Sequence, residues 1–289
     1  MLNRAVKALL PAELINMGGL FVRQAFPTMQ IDMVDPFLLL HHGEMKVGEH
    51  TDPKHAGVGP HPHRGFSPVS FIFKGGVHHR DSRGNDSIIY AGGIQWMNAG
   101  RGVIHSERPP LNIQELGGLT EVIQMWVNTP AAHKMDLPQY LPLTAQDIPT
   151  YTSPDGMAAV HISAGELLGV KGPITAQSPV NAATLELQPG AKISIPLPIE
   201  HNAFLYLLDG AITLEGYGLV EGKHAVVFKN EGEGISLEAL QPTRALLMSG
   251  LPLNELVIAH GPFVMNTETQ ILEAMRDYQM GKMGVLIED

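Results

Sequence analysis

The sequence predicts an all-β chain folded as two β-barrel domains and finished by one C-terminal helix. Three observations lead there. Apolar residues fall in brief or alternating runs, the spacing of half-buried strands. Glycine and proline number 31 and 22 in 289 residues and punctuate those runs as turns would. Only one stretch, 267–279, carries a helical period.

Taken in order, the first clear strands are 70–73, 87–90 and 121–128. Residues 137–156 then hold Pro138, Pro142, Pro149 and Pro154, too dense for a helix or a central strand. The domain boundary is placed there, with residues 1–140 as one barrel and residues 141–289 as the second barrel plus the helix. Strands at 158–163, 182–188, 204–208, 212–215, 225–228 and 245–249 fill the second domain. In the helix, Ile271, Leu272, Met275 and Tyr278 share one face, expected to pack on a barrel. Thr267 serves as its cap and Gly281 as its stop.

The two halves repeat weakly. HPHRGFSPVSFIFKGG (61–76) and AGGIQWMNAGRGVIHSE (91–107) parallel IEHNAFLYLLDG (199–210) and VEGKHAVVFKNEGEGISLEA (220–239). Each copy sets a histidine before an apolar strand that ends at glycine. Aligning Gly100-x-Gly102 with Gly232-x-Gly234 brings Leu237 opposite His105 and Ala239 opposite Glu107. If the halves are duplicated, the second has lost its polar residues there.

A formal charge of −10 argues against a nucleic-acid groove or an anionic membrane as the main partner. The absence of cysteine excludes disulfides, thiolate catalysis and Cys-ligated metals. No apolar run approaches the roughly 18–20 residues of a membrane-spanning helix. Lys7, Glu13 and Asn16 interrupt the N-terminal stretch where a signal core would lie. The expected location is cytoplasmic.

Any metal must therefore bind to histidine, carboxylate or backbone oxygen. Side chains two apart on a strand share a face. His61 and His63 are such a pair, and so are His105 and Glu107. On neighbouring strands the two pairs converge on a barrel interior as one mononuclear site. Three neutral imidazoles and a carboxylate suit a divalent first-row metal and leave open positions on a six-coordinate ion. Beside them, Arg64 either orients Glu107 or makes a structural ion pair. Phe66 lines the pocket or joins the core, and Trp96 and Met97 are core residues. His78 and His79 are adjacent, so they face opposite ways; surface positions are expected, with one of them lining the pocket as the alternative.

The blocks HPHRGF (61–66), HHRDSRGN (78–85), QWMNAGRGVIHSE (95–107), QMWVN (124–128), GPFVMNT (261–267) and DYQMGKMG (277–284) resemble the pirin family of the cupin superfamily. The likeness runs from about Arg23 to the C-terminus. It implies a bicupin: two cupin barrels of jelly-roll type facing each other, with a metal in the N-terminal one. The family's ligands fall on His61, His63, His105 and Glu107. The metal is usually iron, so Fe(II) is expected, while Mn, Ni, Cu and Zn suit the same ligands. Some members are quercetin 2,3-dioxygenases, which implies a flavonol-like substrate and dioxygen. Others act as regulators through a protein partner. Two departures stand out. His41–His42 follow residues 35–40, where more polar or acidic residues are expected. The family commonly has Glu directly after HPHRGF, where this chain has Ser67. Serine cannot serve as a carboxylate base, which leaves Glu107 or a nearby histidine for that role. On this reasoning, Ser67→Glu would raise any flavonol-oxygenating activity.

Overall fold

A computed structural model describes residues 1–52 and 56–288. The chain is built from antiparallel sheets with one long helix, as the short alternating runs require. It divides into two compact units, Met1–Leu40 with Asp147–Leu253, and His41–Gln146 with Asn254–Asp289. The divisions fall after residues 40, 146 and 253, so each unit is assembled from two separate segments. The reason is pairing across long sequence separations. Val6–Pro11 pairs with His224–Phe228, Leu9 opposite Val226. The helix and its approach belong with residues 41–146.

In the unit Met1–Leu40 with Asp147–Leu253, seven strands neighbour one another in the order Val6–Pro11, His224–Phe228, Asn202–Asp209, Thr243–Gly250, Val180–Leu187, Ala158–Ala164 and Thr150–Thr152. A second sheet runs Lys192–Pro196, Gly234–Ala239, Ala211–Leu214 and Gly218–Glu221. One apolar cluster joins the two, with Leu185, Leu205, Val226 and Leu247 from the first and Ile193, Ile195, Ile212, Leu214 and Leu237 from the second. Burial of that apolar area is the main driving force for the unit.

The unit His41–Gln146 with Asn254–Asp289 repeats the plan. The strands Gln139–Leu143, Ile94–Asn98, Phe66–Lys74, Gly117–Asn128 and Phe37–Glu49 are neighbours in that order. Phe37–Glu49 itself runs through the division. The smaller sheet runs Val58–His63, Val103–Arg108, Gly76–Asp81 and Asp86–Tyr90. The cupin-type all-β plan is as expected; among the described residues the smaller sheets keep unpaired edge strands, so the sheets are not closed by hydrogen bonds.

The C-terminal helix spans Glu268–Gln279. Thr267 caps it through a capping box with Gln270, and Gly281 follows at φ 71° as the stop. Its buried face is Ile271 and Ala274, packed with Phe263, Met265, Met283 and the partly buried Ile104. Leu272, expected on that face, is 64% exposed. Ile104 precedes His105 and so lies on the opposite face of its strand. The helix therefore braces the back of a strand that carries a site residue. A short helix, Leu111–Leu116, starts after Pro110 and carries no sequence signal that the strand-rich reading could use. No helix among the described residues is long and apolar enough to cross a membrane.

Candidate metal centre

Three strand segments bring the site together. His105 sits directly opposite His61 on one side of its strand and Asp81 on the other, and Glu107 sits opposite His79. The ligand nitrogens of His61, His63 and His105 lie within 4.8 Å of one another. Two positions behind the site admit only glycine. Gly65 has φ 86° and Gly100 has φ 46°, and a Cβ on either would strike a backbone carbonyl, Val264 or Asp136. Beneath Gly65, the buried Lys134 ammonium donates to the carbonyls of Gly65 (2.6 Å) and Val264 (3.1 Å) and to Asn128 Oδ1 (2.7 Å). The turn after His63 is thus fixed from behind.

The hydrogen bonds around the rings determine where their lone pairs point. His61 Nδ1 is 2.8 Å from the Gly59 carbonyl, and His63 Nδ1 is 3.3 Å from the Pro262 carbonyl. A carbonyl only accepts, so both Nδ1 atoms carry the proton and both Nε2 atoms carry a lone pair in the neutral ring. Those two Nε2 atoms are 3.0 Å apart. Burial, and after it the nearness of His61, pulls the imidazole pKa values of His63 and His105 well below the usual range. Two neutral acceptors facing each other at that distance repel unless a cation lies between them. His105 Nε2 is also buried with no hydrogen-bond partner. Converging lone pairs and an orphaned buried nitrogen fit a divalent metal.

Glu107 is held differently. Its carboxylate lies outside the three-histidine group among the described residues. It accepts from Ser70 Oγ at 2.6 Å and from Gln124 Nε2 at 3.2 and 3.1 Å. Ser70 and Gln124 are register partners on the larger sheet. Between His105 and Glu107 the pairing with Val58–His63 shifts register, since Glu107 lies opposite Val58.

Other residues fall into place around this group. Phe66 lines it, its ring centroid 5.0 Å from His63 and 4.2 Å from Trp126. Trp96 and Met97 are buried, as expected of core. Arg64 makes the structural ion pair: it donates to Asp277 at 3.0 Å and to the Arg101 carbonyl at 2.6 Å. His78 pairs with Asp86 at 2.7 Å. The surface reading of His79 is corrected: it is 2% exposed, because register with Val103–Arg108 turns it inward. Its partner Asp81 and the neighbours Ser70, Gln124 and Tyr140 had no place in the sequence reading. A visible signal was the H-x-D spacing of His79 and Asp81, two residues on one strand face.

A second group, His42, Glu44 and Glu121, also brings ligand atoms close. Here the Glu121 carboxylate already meets Lys74 Nζ at 3.0 Å and His42 Nε2 at 3.2 Å. The chain's own cation offsets its charge, so it lacks the unmet lone pairs of the first group.

Ser67 does not lie with the site. In the regular stretch of Phe66–Lys74, the residues Phe66 and Ser70 face the histidines and Glu107, so Ser67, Val69 and Phe71 face away. Ser67 is 4% exposed among apolar neighbours on that face. Ser67→Glu is therefore expected to bury a carboxylate away from the histidines. We expect it to lower stability by about 3 kcal/mol or more, as an unpaired buried charge does, without raising activity. Denaturant melts and oxygen uptake at equal metal occupancy check this; a stable, faster variant would show that the side chain reaches the site.

The internal repeat holds at the level of strand order. Val103–Arg108 lies between Val58–His63 and Gly76–Asp81 as Gly234–Ala239 lies between Lys192–Pro196 and Ala211–Leu214. By register, Ile193 and Ile195 take the places of His61 and His63. Leu237 and Ala239 take those of His105 and Glu107, and Ile212 and Leu214 those of His79 and Asp81. The counterpart of the His61–His63 pair is thus an isoleucine pair, not the His201 region that the sequence alignment favoured.

A family model described as Pirin matches residues 19–127, and one described as Pirin C-terminal cupin domain matches residues 182–284. A pirin-like protein of Solanum lycopersicum is 37% identical over 270 residues, covering 92% of this chain and 88% of that protein. Pirin of Homo sapiens is 36% identical over 272 residues, covering 92% and 89%. The crystal structure of quercetin 2,3-dioxygenase from Acinetobacter baumannii matches with a TM-score of 0.92 at 35% identity, covering 99% of this chain and all of that one.

Proposed function

Since this chain belongs to the pirin family, we propose that it is a metal-dependent dioxygenase of a flavonol-like substrate. The observation that carries the reading is the set of three imidazole nitrogens whose lone pairs converge, that of His105 with no hydrogen-bond partner among the described residues. The likeness to a quercetin 2,3-dioxygenase over nearly the whole chain supports the substrate class.

His61, His63 and His105 would hold one divalent metal, with Fe(II) as the working assignment and Glu107 as the further ligand or the base. When bound, the metal supplies Lewis acidity toward the substrate's hydroxyl and carbonyl oxygens and the electron chemistry with dioxygen. The chain's own part is orientation and proton handling. The half-buried Trp126, its ring centroid 5.5 Å from His63 and backed by the fully buried Phe66, offers an aromatic face on which a planar ring system can lie. Glu107 is the carboxylate available to take the proton of the substrate hydroxyl. Donation from Ser70 and Gln124 fixes its orientation. Both atoms of dioxygen end in the product.

The test is anaerobic loading with Fe(II), metal analysis, then addition of quercetin and oxygen. One metal per chain and oxygen uptake matched to substrate loss are expected. Full loading with no uptake on any flavonol would overturn the reading in favour of a metal-dependent regulator working through a protein partner.

A further inference from the structure

We propose that His79 and Asp81 are positioning residues for His105: together they hold its Nδ1 proton and so direct its Nε2 lone pair to the metal. The proposal rests on the metal reading above and extends it to residues that would not touch the ion.

The geometry forms a chain of three groups. Asp81 is anchored first. Its carboxylate accepts from the backbone N–H of Arg83 at 2.8 Å and of Asn85 at 3.1 Å, and from Asn85 Nδ2 at 2.7 Å. His79 Nε2 lies 3.2 Å from Asp81 Oδ2. A carboxylate held by several donors accepts again, so His79 carries its proton on Nε2 and presents a bare Nδ1. That Nδ1 lies 3.4 Å from His105 Nδ1. Of two imidazole nitrogens in contact one must donate, so the proton sits on His105 Nδ1. What remains on His105 is the Nε2 lone pair, on the atom that is buried and has no partner. The plane of His79 is fixed as well, since its ring stacks on Tyr140 at 3.9 Å and 6°. The Tyr140 hydroxyl is in turn held 2.7 Å from Ser87 Oγ. His61 and His63 reach the same tautomer by a shorter route, each through one backbone carbonyl. Among the described residues His105 Nδ1 meets no such carbonyl and has the His79 side chain instead. Groups behind a metal ligand act in this way, by fixing tautomer and ring direction.

The internal repeat offers an independent observation. Where His61, His63, His105 and Glu107 are replaced by Ile193, Ile195, Leu237 and Ala239, His79 and Asp81 are replaced by Ile212 and Leu214. The relay is absent from the same copy that lacks the ligands. A histidine and aspartate serving only the sheet would have no reason to be missing with them.

The experiment uses the full chain and three variants. His79→Phe keeps an aromatic ring against Tyr140 but removes both nitrogens. His79→Gln keeps a donor and an acceptor. Asp81→Asn weakens the anchor. Two readouts are taken, with thermal melts of the metal-free proteins as a control for folding. The first needs no metal: long-range 15N–1H NMR reports which nitrogen of His105 is protonated. Wild type is expected to show Nδ1–H, and His79→Phe a mixture or Nε2–H. The second is Co(II) affinity by chelator competition, with the visible absorption of the bound ion. His79→Phe is expected to weaken binding by about 10–100-fold and shift the spectrum, with Asp81→Asn weaker by a smaller factor and His79→Gln between Phe and wild type. Wild-type His105 found as Nε2–H overturns the relay, and so does Co(II) affinity of a folded His79→Phe within about twofold of wild type. If wild type binds no Co(II) while His105 is Nδ1–H, the metal reading fails and the tautomer relay stands. Unfolding of His79→Phe alone moves the decision to His79→Gln and Asp81→Asn, whose affinities then support or overturn it by the same criteria.

Discussion

Replacing His105 with alanine is expected to remove tight metal binding while leaving the chain folded. The size follows from sharing: about 10–16 kcal/mol of binding spread over four ligands is roughly 3–4 kcal/mol each, or about 10²–10³-fold in affinity. Folding should suffer far less. The large apolar cluster of the other unit contains none of the site residues. Truncating a buried ring leaves a cavity, which costs about 2–5 kcal/mol at a packed site. Here the loss is offset in part, because the metal-free protein also sheds a buried nitrogen that has no partner. Metal content after dialysis and calorimetry with and without added metal check both halves. Wild type should melt higher with metal, by the mass-action term that any native-state ligand contributes. His105→Ala should show no such rise. A variant that fails to fold even when wild type is compared metal-free would make the site structural, like a zinc finger.

Replacing Glu107 with glutamine is expected to lower turnover by about 10²–10⁴-fold, the range of a positioned general base. The substitution keeps the shape, and the amide oxygen still accepts from Ser70 or Gln124, so the sheet contact survives. Metal content separates the two roles. The carboxylate is not part of the three-histidine group, so metal affinity should fall by less than in His105→Ala. Oxygen uptake at equal occupancy should then reveal the missing base. If occupancy collapses as far as in His105→Ala, Glu107 is foremost a ligand.

The site was legible in the sequence to the extent that it obeys the two-residue period of a strand. His61, His63 and His105 come together because alternation puts each pair on one face and the strands are direct neighbours. Glu107 obeys the same alternation, yet its carboxylate is claimed by Ser70 and Gln124 from the other sheet. Which sheet lies over which is a tertiary fact with no local period. Ser67 shows the opposite case: it stands where the family commonly has Glu, which suggests a base, although its own position in the alternation turns it away. His79 was read correctly as facing opposite to His78, but the inward side was chosen only by register with Glu107. The helix was legible from its cap to its stop, and the exposed Leu272 marks where an apolar periodicity is wider than the groove that receives it.

The way the chain is shared between its units bears on how the protein emerges during synthesis. Residues 1–40 are made before their partners in 147–253. Val6–Pro11 must wait for His224–Phe228 before its backbone groups are paired. The other unit begins at His41 and is not finished until residues 254–289 follow. His63, made early, has its Nδ1 proton fixed by the carbonyl of Pro262. His105 is braced through Ile104 by the helix at 268–279. Neither unit can close vectorially, and each depends on nonlocal pairing, which is slow and leaves exposed edges at risk. A metal ion offered to the nascent chain would meet histidines whose lone pairs are not yet aimed. The site histidines of the earlier segment are thus held in place only once residues 254–289 have packed.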